Sequence, residues 1–333
     1  MTCFAGIDIS ARTFTFAVRV NGKTTLVSEL NQTPEDHQVL AKKLMALSPE
    51  RIVMEATGVY HFDLAVALAR AGLSVCVINP ASYHHYAAMR LNAAKTDARD
   101  AVLLAEYGES MRPVLWQAPD DDCMALRDIA RMMTRAVQCR TRSKNRLHAL
   151  KARTGTADAL LELEDEDVEY YSRKTEKLRA LALKIIAKNT ALKAAYTHLC
   201  SAKGVGETTA ITVLGELSLL PRDMKANQVS RHAGLHVRQS QSGSSVNRPG
   251  RLGKAGNGHL RRALYMAALS AAQHEPRAAM FYQGLVKRGK KKIQAICAVM
   301  RKYLTGLWSC IKHGQDFDSA KLFSIKHPEG VDA

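Results

Sequence analysis

Two acidic residues stand inside short apolar segments that predict buried β-strands. Asp8 lies in the segment 4–9, and Glu55 ends the segment 51–55. β-Branched runs of this length are typical of strands whose side chains are buried. A buried carboxylate costs free energy unless it is paired or binds a cation. The two positions therefore indicate a sheet whose acids serve a partner or a metal ion.

A second pair of acids, Asp97 and Asp100, lies at the start of a predicted helix. Residues three apart share one face of a helix. Oxygen-only ligand sets suit Mg²⁺ or Mn²⁺, and paired metal ions can assist phosphodiester cleavage. The four acids together favour a metal site with Asp8 as the shared ligand. For Asp97 and Asp100 alone, an alternative stays open: Thr96 can cap the helix, and the helix dipole favours acids in its first turn.

Positive charge is concentrated away from these acids. The net charge is −1 over residues 1–110, +5 over 111–200 and +13 over 201–333. Basic regions of this kind are typical of proteins that hold a polyanion, here nucleic acid. The alternative is that the positive charge only aids solubility. Such a charge would not need to be concentrated in one part of the chain.

Seven scattered cysteines form no CxxC pair and no zinc-ligand spacing. Such a set is typical of reduced thiols in the cytosol. No apolar run reaches the length of a membrane span, and no signal segment is evident. We therefore expect a cytoplasmic protein with no membrane partner.

The element pattern of residues 1–112 predicts an α/β domain. Three strands are expected at 3–9, 13–20 and 24–30, with a tight hairpin at Asn21-Gly22. Helices then alternate with strands at 51–55 and 73–78. An antiparallel meander followed by alternating helices and strands is the order of a ribonuclease-H-like fold.

Two long helical stretches are predicted for residues 119–199. The first is a basic helix over about 123–153, and the second runs over about 157–199 after a break at Thr154-Gly155-Thr156. Two long helices joined by a short break form an antiparallel hairpin or coiled-coil arm. Such an arm usually spaces domains or dimerises.

Residues 200–325 form a third predicted domain, mainly helical and basic. Gly204-Val205-Gly206 between helices resembles a helix-hairpin-helix, whose backbone amides bind a DNA phosphate. An ordinary turn between packed helices is equally compatible with it. The predicted nucleic-acid contacts are these glycines and the basic residues that follow them: Gly204, Gly206, Arg238, Arg248, Arg251, Lys254, Arg261, Arg262, Lys290, Lys291 and Lys292. A lysine run by itself is more often a solvated surface.

The stretch Ser242-Gly243-Ser244-Ser245 has two interpretations. By composition it is a flexible loop. Alternatively, one serine is a nucleophile on phosphorus, and nearby arginines hold the phosphate. No general base is evident in the local sequence.

Seven motifs, in order over roughly residues 3–320, resemble the insertion-sequence-110 transposases and the related Piv-type site-specific DNA invertases. They are Gly6-Ile7-Asp8, Met54-Glu55-Ala56-Thr57-Gly58, Val77-Ile78-Asn79-Pro80, Lys95-Thr96-Asp97-Ala98-Arg99-Asp100-Ala101, Gly204-Val205-Gly206, Ser242-Gly243-Ser244-Ser245 and Leu260-Arg261-Arg262-Ala263-Leu264-Tyr265-Met266. One departure is visible, because Ala202-Lys203 stands where the family commonly has Ile-Pro.

The resemblance implies a RuvC-like DEDD domain, a coiled-coil arm and a C-terminal transposase domain. It implies catalytic roles for Asp8, Glu55, Asp97, Asp100 and Ser242, with magnesium on the four acids and a covalent phosphoserine link to DNA. It further implies a bridge RNA that pairs with donor and target DNA, assembly as dimers or tetramers, and a bacterial, nucleoid-associated location. The expected function is DNA recombination for a mobile insertion sequence.

Several other functions fit part of the sequence. A site-specific invertase would use the same chemistry. A hydrolytic RuvC-like nuclease would attack with water and leave Ser242 dispensable. A sugar kinase or actin-like ATPase needs a second Asp-x-Gly phosphate loop, which the sequence lacks. A DNA-binding protein without catalysis leaves Asp8 and Glu55 unexplained.

Overall fold

The computed structural model describes residues 2–56, 60–90, 96–242, 246–253 and 255–323. It divides into two compact units, Met1–Pro119 and Asp120–Ala333. The first unit comprises β1 (Cys3–Ile9), β2 (Thr13–Val20), β3 (Lys23–Asn31), α1 (Pro34–Leu47), β4 (Arg51–Glu55), α2 (Tyr60–Arg70), β5 (Val75–Ile78), α3 (Pro80–Met89) and α4 (Asp97–Met111).

The sheet of the first unit has the order β3-β2-β1-β4-β5. β1, β2 and β3 are antiparallel, while β4 pairs in parallel with β1 and β5 with β4. Asn21 and Gly22 join β2 to β3 with positive φ angles of 49° and 77°, as a tight hairpin turn requires. Parallel neighbours need helical crossovers, which α1 and α2 supply. The α/β prediction is confirmed, since an antiparallel meander is followed by alternating helices and strands in one mixed sheet.

The second unit is mainly helical. It comprises α5 (Asp121–Lys151), α6 (Asp158–Lys188), α7 (Thr190–Cys200), α8 (Glu207–Leu217), α9 (Ala226–His232), β6 (Val237–Ser242), β7 (Val246–Leu252), α10 (Gly258–His274), α11 (Pro276–Lys287), α12 (Lys292–His313) and α13 (Ser319–Leu322). None of the helices in the described ranges is long and apolar enough to span a membrane. The predicted boundary near residue 200 between an arm and a transposase domain stays a prediction.

The helices α5 and α6 pack as an antiparallel pair. Near the connecting turn, Arg146 binds Glu164 with an Nε–Oε1 distance of 2.5 Å. At the far end, Asn189 Nδ2 donates to Asp122 Oδ2 at 3.2 Å. The predicted single helix over 157–199 is wrong at Asn189, where the backbone is extended (φ −104°, ψ 112°). The Asn189 side chain accepts from Leu192 N–H and so caps a new helix.

A buried ion pair joins three elements of the second unit. The Glu216 side chain on α8 is only 2% exposed and accepts from Arg131 Nε on α5 at 2.6 Å. Asn257, the N-cap of α10, donates to Glu216 Oε2 at 2.6 Å. Burial raises the pKa of Glu216, but these hydrogen bonds outweigh it and the pKa is lowered. The pairing fixes α10 relative to α5 and α8, since an unpaired buried carboxylate is costly.

Candidate active site

Gly6 allows α4 to approach the sheet closely. A Cβ on Gly6 of β1 would lie 2.1 Å from the Ala101 oxygen and 2.2 Å from the Ala105 nitrogen, both backbone atoms of α4. The helix therefore lies directly on the strand. Residues two apart on a strand share a face, so Asp8 projects from the same face as Gly6, towards the helix end that carries Asp97 and Asp100.

We expect Gly6→Ala to destabilise the first unit by about 3 kcal/mol, because two backbone atoms of a packed helix have to move. Thermal unfolding of the variant measures this loss. Gly284→Ala on α11 is the matched control, because a Cβ there meets nothing within 4 Å. Equal stability of Gly6→Ala and wild type would contradict the close approach of α4 to β1.

The four predicted acids come together at one end of the sheet. β4 runs parallel to β1 with Ile7 opposite Met54, which places Glu55 beside Asp8. The pKa of Asp8 is raised from its ordinary value of 3.8 to about 6, first by burial and then by the negative charges of Asp100 and Asp97. Glu55 adds a smaller effect in the same direction. The other three carboxylates therefore all lie near enough to act on Asp8.

These acids are not arranged as a finished metal cage. In the described ranges, no three Asp, Glu, His or Cys side chains lie close enough together to hold one ion. The donor set nevertheless fits a divalent cation, because it consists of carboxylate oxygens, which Mg²⁺ and Mn²⁺ prefer. A cation would also relieve the repulsion that raises the pKa of Asp8.

Asp97 and Asp100 differ in their surroundings. Thr96 caps α4 by accepting from Arg99 N–H at 3.3 Å, as the helix-cap alternative expects. Asp97 is exposed, but Asp100 is only 6% exposed. An exposed acid in the first turn already interacts favourably with the helix dipole. The helix-cap alternative therefore does not explain why Asp100 is buried.

A buried tyrosine that the sequence analysis missed holds Asp100. Tyr83 of α3 donates its hydroxyl hydrogen to Asp100 Oδ1 at 2.7 Å. Burial, and after it this hydrogen bond, raises the pKa of the Tyr83 phenol well above its ordinary value. The Tyr83 phenol therefore stays protonated and continues to donate its hydrogen bond to Asp100. No local pattern marks Tyr83 in the sequence, because its partner lies 17 positions away.

Ser242 ends strand β6 of a hairpin in the second unit. Its register partner is Val246 on β7, and Arg238 stands opposite Arg251. The segments on both sides of the serine motif are thus strands, and the loop interpretation of the motif itself stays a prediction. Residues 243–245 and Lys254 lie outside the described residues. Arg248 pairs in register with Ser240.

The other predicted nucleic-acid residues occupy several places in the second unit. Gly204 has φ +88°, and a Cβ there would meet the Ala267 oxygen at 2.9 Å. The backbone conformation and the packing at this position therefore account for a glycine. Gly206 is the N-cap of α8. Arg261 donates to the Ala233 carbonyl at 2.9 Å and so supports the chain before β6. Exposed members of the set, among those whose burial is described, are Gly206, Arg262, Lys290, Lys291 and Lys292.

Comparison with known proteins links both units to DNA recombination. Residues 5–153 match the DEDD, IS110-type family model described as "Transposase", and residues 196–283 match the "Transposase IS116/IS110/IS902 family" model. The pilin gene-inverting protein of Moraxella lacunata is 28% identical over 80% of this chain and 81% of its own length. That of Moraxella bovis is 28% identical over the same shares.

Two further matches are shorter. An uncharacterized 43.6 kDa protein of insertion element IS110 from Streptomyces coelicolor is 27% identical over 40% of this chain and 31% of its own length. The structure of T. thermophilus RuvC in complex with a Holliday junction substrate covers 33% of this chain and 96% of that one, with 14% identity and a TM-score of 0.26.

Proposed function

The chain belongs to the IS110 family of transposases, enzymes that cleave and rejoin DNA, and we propose from this premise that it exchanges DNA strands with Ser242 as the nucleophile and with a divalent metal bound by the acids of the first unit. One observation carries the metal site: the pKa of Asp8 is raised to about 6 by burial and by the negative charges of Asp100, Asp97 and Glu55 at one end of the sheet. A half-buried carboxylate repelled by three others has no benefit for the fold. These four acids favour a cation.

The bound metal would polarise a phosphodiester and stabilise the charge that develops on it. Asp8 and Glu55 would hold it from the two central strands, and Asp97 and Asp100 from α4. The Ser242 hydroxyl oxygen attacks phosphorus and loses its proton to water. A Ser–O–P bond forms, and the bond to the leaving deoxyribose oxygen breaks as that oxygen gains a proton. A new deoxyribose hydroxyl then reverses the step, so the strand is rejoined without an added energy source.

The experiment uses the protein with its co-purifying RNA, DNA that carries the native flanking ends, and Mg²⁺. We expect joined DNA products that EDTA abolishes. Cleaved ends without joined products would instead support a hydrolytic nuclease. The absence of any product with every metal would refute the proposal.

Inversion of a DNA segment is a second candidate function. It is favoured by the two pilin gene-inverting proteins, which match 80% of this chain. Both functions use the same chemistry on differently arranged sites. A plasmid with two sites in inverted orientation separates them, because an invertase flips the intervening segment while a transposase moves its own element.

Guide RNA and self-association belong to the same proposal. The net charge of +13 over residues 201–333 supports binding of nucleic acid, and family membership supports a bridge-type RNA and a dimer or tetramer. If RNA does the pairing, base specificity is not encoded in side chains. Sequencing of the RNA that co-purifies, with mass measurement of the complex, tests both points.

Tyr83 acts in this scheme as a positioning residue for Asp100. Removal of partners that orient metal ligands commonly weakens metal binding by about 10–100-fold. We expect a loss of that size in Tyr83→Phe, measured by Mn²⁺ titration of the DNA-free protein. Tyr86→Phe on the same helix is the matched control, because the Tyr86 hydroxyl meets Ser110 Oγ at 3.3 Å and no site acid. Equal Mn²⁺ affinity in both variants would contradict the role of Tyr83.

A further inference from the structure

A groove of about 840 Å³ lies between the β6–β7 hairpin and the helices α11 and α12. Its volume is in the range of small-ligand sites, about 300–1,000 Å³. Its wall is formed mainly by apolar side chains: Leu235, Val237, Leu252, Leu285, Ile293 and Ala298. Val237 is 51% exposed and Ile293 53% exposed, so large apolar side chains on two opposite walls have unpartnered surface.

The charges around this groove are all positive. Lys290 and Arg301 line it, and no acidic residue does among the lining residues that the structure describes. The neighbouring positions Lys287, Lys291 and Lys292 continue the basic run. An apolar wall with a cationic edge matches a nucleotide, whose base is flat and weakly hydrated and whose phosphate is anionic.

The groove also lies on the hairpin that ends in the candidate nucleophile. β6 begins at Val237 in the wall and ends at Ser242. Five residues of strand span about 17 Å at roughly 3.3 Å each. A DNA strand advances about 3.4 Å per stacked nucleotide. The groove is therefore within about five nucleotides of a phosphate attacked by Ser242.

We propose that this groove holds an unpaired nucleotide of the DNA strand that Ser242 attacks, with the base on the apolar wall and the phosphate on Lys290 and Arg301. The inference rests on the proposed function, because the course of the DNA strand past the groove follows from attack by Ser242. Apolar side chains that receive or wedge an unstacked base are a known means of distorting DNA. An apolar segment of a second protein copy would leave the two cations without a partner.

The test measures binding of oligothymidylate of about 15 nucleotides, a length in the range of single-strand sites. We expect Ile293→Asp to weaken binding about tenfold, since it puts a negative charge where the base lies. Arg301→Gln should reduce the slope of log K against log salt by about 0.7, the value for one lost single-strand phosphate contact. Met280→Asp on α11 is the matched control, because Met280 is 54% exposed and does not line the groove.

A footprint on the unmodified protein gives a second readout that needs no variant. The Cys297 thiol lines the groove, so bound oligothymidylate should slow its alkylation by iodoacetamide, followed by mass spectrometry of the peptide. Unchanged alkylation together with unchanged affinity of Ile293→Asp would refute the site. Protection by oligouridylate alone would assign it to RNA, and a change in oligomeric mass alone would assign it to a second copy; either overturns the proposal. Strand exchange by the wild-type protein is measured separately. Failure of the proposed function can therefore be distinguished from failure of the groove proposal.

Discussion

Asp8→Asn is expected to lower DNA cleavage by on the order of 10⁴-fold, the usual cost of removing one member of a catalytic set. Burial and the negative charges of Asp100, Asp97 and Glu55 together raise the pKa of Asp8 to about 6. Its amide replacement keeps the shape but removes the charge that the proposed function assigns to the metal. Cleavage of DNA with native ends, at saturating Mg²⁺, measures the loss.

The same variant should be more stable than wild type without metal. The pKa of Asp8 is higher in the folded protein than its ordinary 3.8, so the folded state holds the proton more tightly. This contribution to stability is present below a pH of about 4 and is lost as the pH rises through about 6. In EDTA at pH 8, Asp8→Asn should therefore unfold at a higher temperature than wild type, and the difference should vanish near pH 4.

Glu35→Gln on α1 is the control for both readouts, since it removes an exposed acid of the same unit. Cleavage by Asp8→Asn within tenfold of wild type would contradict the metal site. A lower thermal midpoint than wild type in EDTA would contradict the destabilisation expected from ionised Asp8.

Ser242→Ala is expected to remove joined DNA products altogether. Alanine has no hydroxyl to form the Ser–O–P bond, so neither cleavage by serine nor rejoining can occur. Binding of DNA and Mg²⁺ should stay within about twofold of wild type, because the change removes one hydroxyl group that is not among the proposed metal ligands, and such small changes usually cost no more than about 0.5 kcal/mol. A gel assay for joined products, with a binding assay beside it, measures both.

Two neighbouring serines serve as controls for the Ser242 variant. Ser240→Ala lies on the same strand β6, and Ser244→Ala lies in the same motif. Both should retain joined products. If Ser244→Ala alone abolished them, the nucleophile would be the second serine of the motif. If every serine variant retained cleavage, water would be the attacking group.

Local sequence signals were sufficient to predict most of the strands and helices of the first unit. The β-branched runs predicted β1 and β2 at the bounds that the structure gives, because side-chain burial and backbone preference agree there. Asn21-Gly22 predicted the hairpin that joins β2 to β3, since only residues tolerant of positive φ fit its turn. The short apolar runs also placed Asp8 and Glu55 on adjacent strands.

Contacts between distant residues were not predictable in this way. Tyr83 is recognisable as a partner of Asp100 only after α3 and α4 have packed. The ion pair of Arg131 and Glu216 joins residues 85 positions apart. No local pattern predicted β6 and β7, whose residues pair across the hairpin on both sides of the serine motif. In each case tertiary packing outweighs local preference.

The most direct test of serine recombination is the identity of the amino acid joined to DNA. Wild-type protein with its RNA, native-end DNA and Mg²⁺ is stopped in denaturant, digested with protease and nuclease, and analysed by mass spectrometry. The proposed function predicts a nucleotide linked to the peptide that contains Ser242, and no such peptide in Asp8→Asn. Cleaved DNA without any linked peptide, or a nucleotide on another residue, would contradict it.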